Sequence, residues 1–522
     1  MKMEYDVIII GGGATGAGTA RDCALRGLRT VLIERNDIAD GASGRNHGLL
    51  HSGARYAVND RESAAECIGE NLILRKIASA CVEQTEGLFI TLPEDDLAYQ
   101  AKFVESCRQA GIKAEVLDPK EALRMEPAVN PEIIGAVKVP DASVDPFRLV
   151  ALNVLDARLH GADILTGWEV VEFIKERVTV TGVKIRNIHT GEIKSLRAHY
   201  TVNAAGIWGA HIAEMAGAHI GMLPSKGALL VFGHRVAKMV VNRCRKPANA
   251  DILVPGDVVS VIGTTSDKVP FEECDDMKVT RREVDILLTE GCKLVPQLAT
   301  TRIIRAYAGV RPLVADDSDP SGRNVSRGIV LLDHSTRDGI RGFISITGGK
   351  LTTYRLMAEQ TADLICRKLG LDRKCETALL PLPGSSDKVE AHKTWSVGQK
   401  AAFGRHGTQV SKMNFEGDAG KEICECEHVT RAEIAYAVKE LGVQSLDDLR
   451  RRTRVGMGTC QSSFCVLRAA KALAEELGAP EREQELVRDF LRERWKGIAP
   501  VCWGDQMREA EHMRNLYKEV GK

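Results

Sequence analysis

Apolar positions along this chain alternate between short continuous runs and helical stripes. The run Val7-Ile8-Ile9-Ile10 is apolar at every position, which predicts a strand buried on both faces of a parallel sheet. A helical stretch over residues 17–26 follows, Gly27 breaks it, and Thr30-Val31-Leu32-Ile33 predicts a second strand closed by Glu34. Residues 62–82 carry the stripe of an amphipathic helix. Beyond them the pattern predicts a strand at 88–92, helices at 97–109 and 147–159, and strands at 169–173 and 178–185. Residues 200–206 read as a strand ending in a small-residue turn, with a helix over 208–215. Strand-like runs at 228–232 and 258–262 predict an antiparallel sheet within 223–330. Residues 342–350 are again strand then glycine turn, before a helix over 352–369. Residues 381–387 carry Pro, Gly and Ser and read as a linker. The tail is helical over 430–441, 446–451 and 463–477.

Between the first two strands stands Gly11-Gly12-Gly13-Ala14-Thr15-Gly16, which fits G-x-G-x-x-G. In that fingerprint the first glycine permits a tight turn, the second lets backbone approach a pyrophosphate, and the third packs helix against strand. The helix N-terminus favours phosphate, and an acid at the end of the second strand can accept from a ribose diol. Strand, glycines, helix, strand and Glu34 together predict a dinucleotide site. Its place at the start of the chain and the residues after Glu34 favour FAD. Residues 35–56 are rich in Gly, Ser and Asn and lack either period, as expected of an ordered loop lying against a flat ligand. The expected flavin contacts are therefore Gly11, Gly13, Ala14, Thr15, Gly16, Glu34 and Arg35, then Ser43, Arg45, Asn46, His47, Gly48 and Leu49. Ala205 and Gly206 add a second turn, and Gly348, Gly349, Lys350, Leu351 and Thr352 a third.

With 522 residues the chain is long enough for two or three cores. Lys+Arg and Asp+Glu both number 71, so a net charge of zero gives no support for a nucleic-acid partner. No apolar run approaches the roughly 20 residues that span a bilayer. The chain enters a strand at once, without a signal-peptide pattern, and a cytoplasmic location is expected. Ten of the 14 cysteines are scattered singly and read as small buried hydrophobes. The other four are grouped as Cys424-x-Cys426 and Cys460-x4-Cys465. Two tight pairs can set four thiolates around one centre. They resemble the bacterioferritin-associated-ferredoxin type of [2Fe–2S] domain; zinc is the alternative.

Gly11 to Gly16, Ala20-Arg21-Asp22, His51-Ser52-Gly53-Ala54-Arg55-Tyr56, Ile262-Gly263-Thr264-Thr265, Ala308-Gly309-Val310-Arg311-Pro312-Leu313 and Gly348-Gly349-Lys350-Leu351-Thr352-Thr353-Tyr354-Arg355 resemble the FAD-dependent glycerol-3-phosphate dehydrogenases. Asn242-Arg243-Cys244-Arg245-Lys246-Pro247 and the cysteine-bearing tail are similar, more narrowly, to the A subunits of the bacterial anaerobic enzymes. The resemblance implies oxidation of sn-glycerol 3-phosphate to dihydroxyacetone phosphate. It also implies two partners, a flavoprotein (the B subunit) and an iron–sulfur membrane anchor (the C subunit). Electrons would pass through them to quinone, and they would hold the chain peripherally at the inner membrane face. Arg55, Tyr56 and Arg311 fall at family substrate positions, where a phosphate dianion calls for forked cations. Lys350 can face flavin or substrate, and His51 is the candidate base. Some single-subunit relatives carry a His shortly after the Lys-Gly matched by Lys226-Gly227; here Ala228 and Leu229 follow.

The expected fold is α/β: a Rossmann-type FAD-binding domain of the glutathione-reductase-like, DAO superfamily kind, with an inserted antiparallel β-sheet substrate domain and a small C-terminal helical Fe–S domain. The expected segments are 1–85 and 196–220 for the FAD domain, closed by 336–380; 86–195 and 221–335 for the substrate region; 381–420 for a linker; 421–475 for the cluster domain; and 476–522 for a helical tail. An FAD enzyme acting on amino acids, opines or 2-hydroxy acids is the alternative activity, and an FAD-binding scaffold without catalysis is a third reading.

Overall fold

The computed structural model describes residues 3–314, 328–385 and 394–520, the last three by backbone alone. Two strands, β1 (Tyr5–Ile10) and β2 (Thr30–Glu34), lie parallel at the centre of the first sheet, with Asp163–Thr166 parallel beyond β2. On the other side of β1 runs the long strand Ile193–Asn203. Its second half is parallel to β1 and to Phe343–Gly348, while its first half turns into an antiparallel meander with Thr179–Asn187 and Trp168–Glu176. One strand thus serves two layers. Val7 and Ile9 bury one face of β1 against helix α1 (Ala14–Leu25), and Ile8 and Ile10 bury the other. Full burial of each such side chain contributes about 1.5–3 kcal/mol, which sets the register of the sheet that presents the glycine turn.

The second sheet has nine strands and a separate core. At its heart Met222–Phe232 pairs antiparallel with Ile303–Val314 over eleven positions, and with Ser260–Gly263 at its other edge. The expectation of an antiparallel sheet within 223–330 holds for these strands. The sheet also recruits Gly87–Thr91 and Gly135–Val139, and one pairing, Val240–Arg243 with Gly87–Thr91, is parallel.

Residues 394–520 form a third, mainly helical unit around its own core. Residues 394–420, expected to be linker, are folded into it. Ser396 and Gln399 make a capping box that starts the helix Val397–His406, and Arg405 and His406 pair with buried Glu433. Of the remaining expected linker, 381–385 is ordered against the first unit, with Leu382 buried and its N–H donating to the Ile77 carbonyl at 2.7 Å, and 386–393 lie outside the described residues. The unit seats its helix Leu446–Thr453 against Pro146–Leu159, and its helix Glu483–Ile498 against the strand Ile303–Val314. Among the described residues no helix is long and apolar enough to cross a membrane.

Candidate functional site

The cradle at the end of β1 follows from three glycines with different duties. Gly11 has φ +112°, and a Cβ there would stand 2.6 Å from the Ala204 carbonyl oxygen. At Gly16 a Cβ would collide with the Gly11 carbonyl, so only glycine lets the helix lie on the turn. Gly13 opens on the cleft: its Cβ would meet nothing nearer than Ser43 Oγ at 3.0 Å. The helix begins at Ala14, three residues before the expected start, because the glycine turn already holds helical backbone and the Ala17 N–H donates to the Gly13 carbonyl at 2.9 Å. Ser43 Oγ accepts from the Ala14 N–H at 2.9 Å, tying residues 35–47 to the helix start. Glu34 Oε2 accepts from the Gly12 N–H at 2.7 Å and Oε1 from the Asn36 N–H at 2.8 Å. Burial raises the Glu34 pKa and these two donors partly offset it. Each carboxylate oxygen keeps a lone pair for a ribose hydroxyl.

From this cradle a cleft of about 1420 Å³ runs across both sheets. That exceeds the roughly 300–1,000 Å³ of an ordinary ligand pocket and suits an extended cofactor with substrate at its end. Of the expected flavin contacts, Gly11, Gly13, Ala14, Thr15, Glu34, Arg35, Ser43, Arg45, Asn46, His47, Leu49, Ala205, Gly206, Gly348, Gly349, Lys350 and Leu351 line it. Gly16, Gly48 and Thr352 stand behind the wall instead. Gly16 packs on Gly11, Gly48 turns against Val144, and Thr352 Oγ1 accepts from the His51 N–H at 3.1 Å. A wide cleft, a helix N-terminus opened by Gly13 and an acid at its mouth fit a dinucleotide.

At the far end the cations converge. Arg311 lies within the strand Ile303–Val314, opposite Ser225. Gly227 clears room for its guanidinium, which donates to Ser225 Oγ at 3.3 Å and to the Thr265 carbonyl at 3.0 Å, and also contacts Thr264. Arg55 Nη2 donates to Asp251 Oδ2 at 3.0 Å and to the Ala248 carbonyl at 3.2 Å, while Nη1 is buried with no hydrogen-bond partner among the described residues. Asp251 is 1% exposed and also holds Arg245 at 2.8 Å. Lys350 Nζ sits 4.7 Å above the Tyr56 ring; the His51 ring lies 5.4 Å from Tyr56 and 5.9 Å from His47. Lys226 is turned away into a buried pair with Glu283 at 2.8 Å, and Ala228 and Leu229 are core, so no imidazole comes from that strand position.

The four grouped cysteines meet as two pairs. Cys426 Sγ and Cys460 Sγ stand 3.5 Å apart, and Cys424 is within hydrogen-bond reach of Cys465. Backbone N–H groups of Gly456 and Glu427 also point at Cys424. The Cys465 contact and these donors hold Cys424 below the ordinary thiol range, and the same contact pushes Cys465 up. Gly458 leaves space for Cys426. This donor set fits a group held by several thiolates. Among the described residues no three His, Cys, Asp or Glu side chains gather for one metal ion. The ten single cysteines are buried apart from the half-buried Cys292 and Cys375.

Several cleft residues carry no clear signal in the sequence. Trp208, whose Nε1 donates to Asp275 at 2.9 Å and whose ring takes Arg35 at 5.3 Å, forms the rim near Glu34. Asp251 and Ser225, which do not line the cleft themselves, anchor the two arginines together with Thr265, which belongs to the Ile262–Thr265 motif. A Ser345–His334–Asp338 chain, 2.8 and 2.5 Å, has the order of a hydrolytic triad, but Ser345 and His334 are buried against Phe343, Asp338 is exposed, and none of the three lines this cleft.

Comparison with known proteins places these features. Residues 6–355 match the FAD dependent oxidoreductase family, and residues 422–475 match the BFD-like [2Fe-2S] binding domain. The chain is 60% identical to the A subunit of the anaerobic glycerol-3-phosphate dehydrogenase of Escherichia coli (strain K12), over 99% of this chain and 97% of that protein. It is 43% identical to the A1 subunit of the Haloferax volcanii enzyme of the same name, over 98% and 90%. Among solved structures, the glycerol-3-phosphate dehydrogenase of Bacillus halodurans complexed with FAD has the same fold, with TM-score 0.71 and 24% identity over 96% of this chain and 97% of that one.

Proposed function

We propose residue roles from one premise: the chain belongs to the FAD dependent oxidoreductase family and, within it, to the anaerobic glycerol-3-phosphate dehydrogenase A subunits. It oxidises sn-glycerol 3-phosphate to dihydroxyacetone phosphate with FAD and carries a [2Fe–2S] domain. Bound FAD supplies the hydride acceptor, and the cluster supplies one-electron transfer onward. Glu34, the turn at Gly11 to Gly16 and the loop through Leu49 hold the dinucleotide. Arg55 and Arg311 receive the phosphate dianion, each fork aimed by its own anchor, so that binding energy is not spent on ordering two long side chains. His51 takes the hydroxyl proton, with Tyr56 and Lys350 orienting the carbinol between imidazole and flavin site. Cys424, Cys426, Cys460 and Cys465 ligate the cluster. Electrons leave to quinone through two partners, a flavoprotein and an iron–sulfur membrane anchor, and these hold the chain peripherally at the membrane.

The observation that carries the substrate assignment is the buried Nη1 of Arg55 in the cleft, a charged donor with no hydrogen-bond partner among the described residues. A buried donor of that kind calls for an anionic acceptor. Steady-state kinetics of Arg55→Met with an artificial acceptor test it. The expected result is a large rise in KM for sn-glycerol 3-phosphate with FAD content unchanged. An unaltered KM would remove Arg55 from the phosphate site.

A further inference from the structure

Three arginines at the end of helix Leu446–Thr453 reach out of the C-terminal unit into the flavin-binding unit. Arg452 grips Asp37 with both Nη atoms, at 3.0 and 2.5 Å, and its side chain is 3% exposed. Arg451 donates to the same Asp37 at 3.0 Å and to Asp40 at 2.6 Å. Arg454 donates to Asp145 at 3.0 Å and, on the other side, to Glu427 at 2.9 Å, next in sequence to Cys426. Arg454 holds this position at φ +67°, a left-handed conformation that suits glycine better, so the ion pairs outweigh a local backbone cost.

The aspartates are not peripheral. Between Asp37 and Asp40, Ala39 donates its N–H to the Gly12 carbonyl at 3.0 Å, inside the phosphate-binding turn. Asp40 lines the cleft and takes Arg45, which also lines it. Ser43, three residues on, caps the start of α1. Asp145 caps helix Pro146–Leu159 directly after Val144, whose N–H bonds to the Gly48 carbonyl at 2.7 Å. The segment that closes over the cleft is therefore pinned by side chains of the cluster-bearing unit at one end and by the glycine turn at the other.

Resting on the reading of this cleft as the FAD site, we propose that Arg451 and Arg452 are positioning residues for the flavin: the C-terminal unit completes the cofactor site, and FAD binding and seating of that unit are coupled. Arg454 extends the same seam to the cysteine loop, so the flavin loop and the cluster loop are held in one frame.

The test uses the full-length protein, purified anaerobically, stripped of FAD and titrated with FAD. Arg452→Met and Arg451→Met are each expected to raise the FAD dissociation constant about tenfold or more, because buried Asp37 loses one of the two arginines that hold it, while iron and labile sulfide stay at the wild-type level. Arg468→Met, which removes an exposed pair with Glu425 in the same unit, should change FAD affinity by less than about twofold. Wild-type FAD affinity in both seam variants, with iron retained, overturns the proposal. If neither variant folds, hydrogen exchange of the wild type with and without FAD decides. FAD should slow exchange at 446–454 as well as at 11–17. Protection confined to 11–17 overturns the coupling, and protection at neither overturns the flavin reading itself.

Discussion

The two ends of the cleft are built in opposite ways. Between Tyr5 and Glu34 a single stretch of chain makes its own cradle: the glycines fit each other, and Glu34 bonds back to Gly12. The cationic end borrows from distant segments. Arg55 depends on Asp251, Arg311 on Ser225 and Thr265, and Lys350 stands over Tyr56. The cradle is therefore intolerant of a change in shape, whereas the cationic end is sensitive to loss of an anchor. On the proposed reading, one end binds through backbone and needs empty space, and the other binds through charged side chains and needs them held still.

The sharpest way to break this contrast is Gly13→Val. A branched side chain placed where backbone must meet pyrophosphate is expected to abolish FAD binding, read as protein of normal fold that releases no flavin on acid precipitation; a wild-type amount of released flavin would refute the cradle. Both ends should also work without the bound cluster, the cysteine loop itself being kept. Cys460→Ser should lose the cluster, assayed as the about two irons and two labile sulfides expected per chain, and with it transfer to the physiological acceptor, while flavin bleaching by substrate persists. Arg311→Lys keeps the charge but loses the fork. Loss of one charge-assisted bond costs roughly 1.5–3 kcal/mol, so KM should rise about ten- to a hundredfold with FAD intact.

Asp251→Asn leaves Arg55 in place with a weaker anchor, and a smaller KM increase of about three- to tenfold is expected; no change would show that the anchor is dispensable. The least effect concerns acid. Glu34 has a raised pKa through burial, so on acidification it takes up a proton above the ordinary carboxyl value of about 4.3. Protonation stabilises the folded chain there but removes a ribose acceptor. Glu283, behind the cationic end, has a lowered pKa: burial acts to raise it, but Lys226 and the Thr280 contacts outweigh burial. Its contribution to stability is complete above that ordinary value and is lost only as pH falls through the lower folded one. FAD release should therefore precede unfolding of the substrate sheet in an acid titration followed by flavin fluorescence and near-UV circular dichroism, and the reverse order would contradict the assignment.

Legibility in the sequence follows the same divide. The cradle can be read because each glycine answers a local backbone demand, and helix and strand bounds elsewhere, such as Leu97–Gln109, follow from periodicity alone. Gly309 and Pro312 punctuate the stretch around Arg311, so the local signal there is turn-prone rather than strand-like. Pairing with Met222–Phe232 overrides that local signal, and Pro312 is tolerated because among the described residues the strand pairs along that one side only. The helix Val397–His406 follows a Pro- and Gly-marked stretch and reads as linker, although Ser396 and Gln399 spell its cap. Arg451 and Arg452 give no sign of their partners, since nothing local points to aspartates some four hundred residues earlier.

The central claim is that sn-glycerol 3-phosphate reduces a flavin held in this cleft. Anaerobic titration of the purified chain with that substrate, followed by its visible absorbance, tests it most directly. The account predicts bleaching of the flavin by sn-glycerol 3-phosphate and none by glycerol, which lacks the phosphate for Arg55 and Arg311. A flavin that stays oxidised with sn-glycerol 3-phosphate, or that is bleached by an amino acid or 2-hydroxy acid instead, would contradict it.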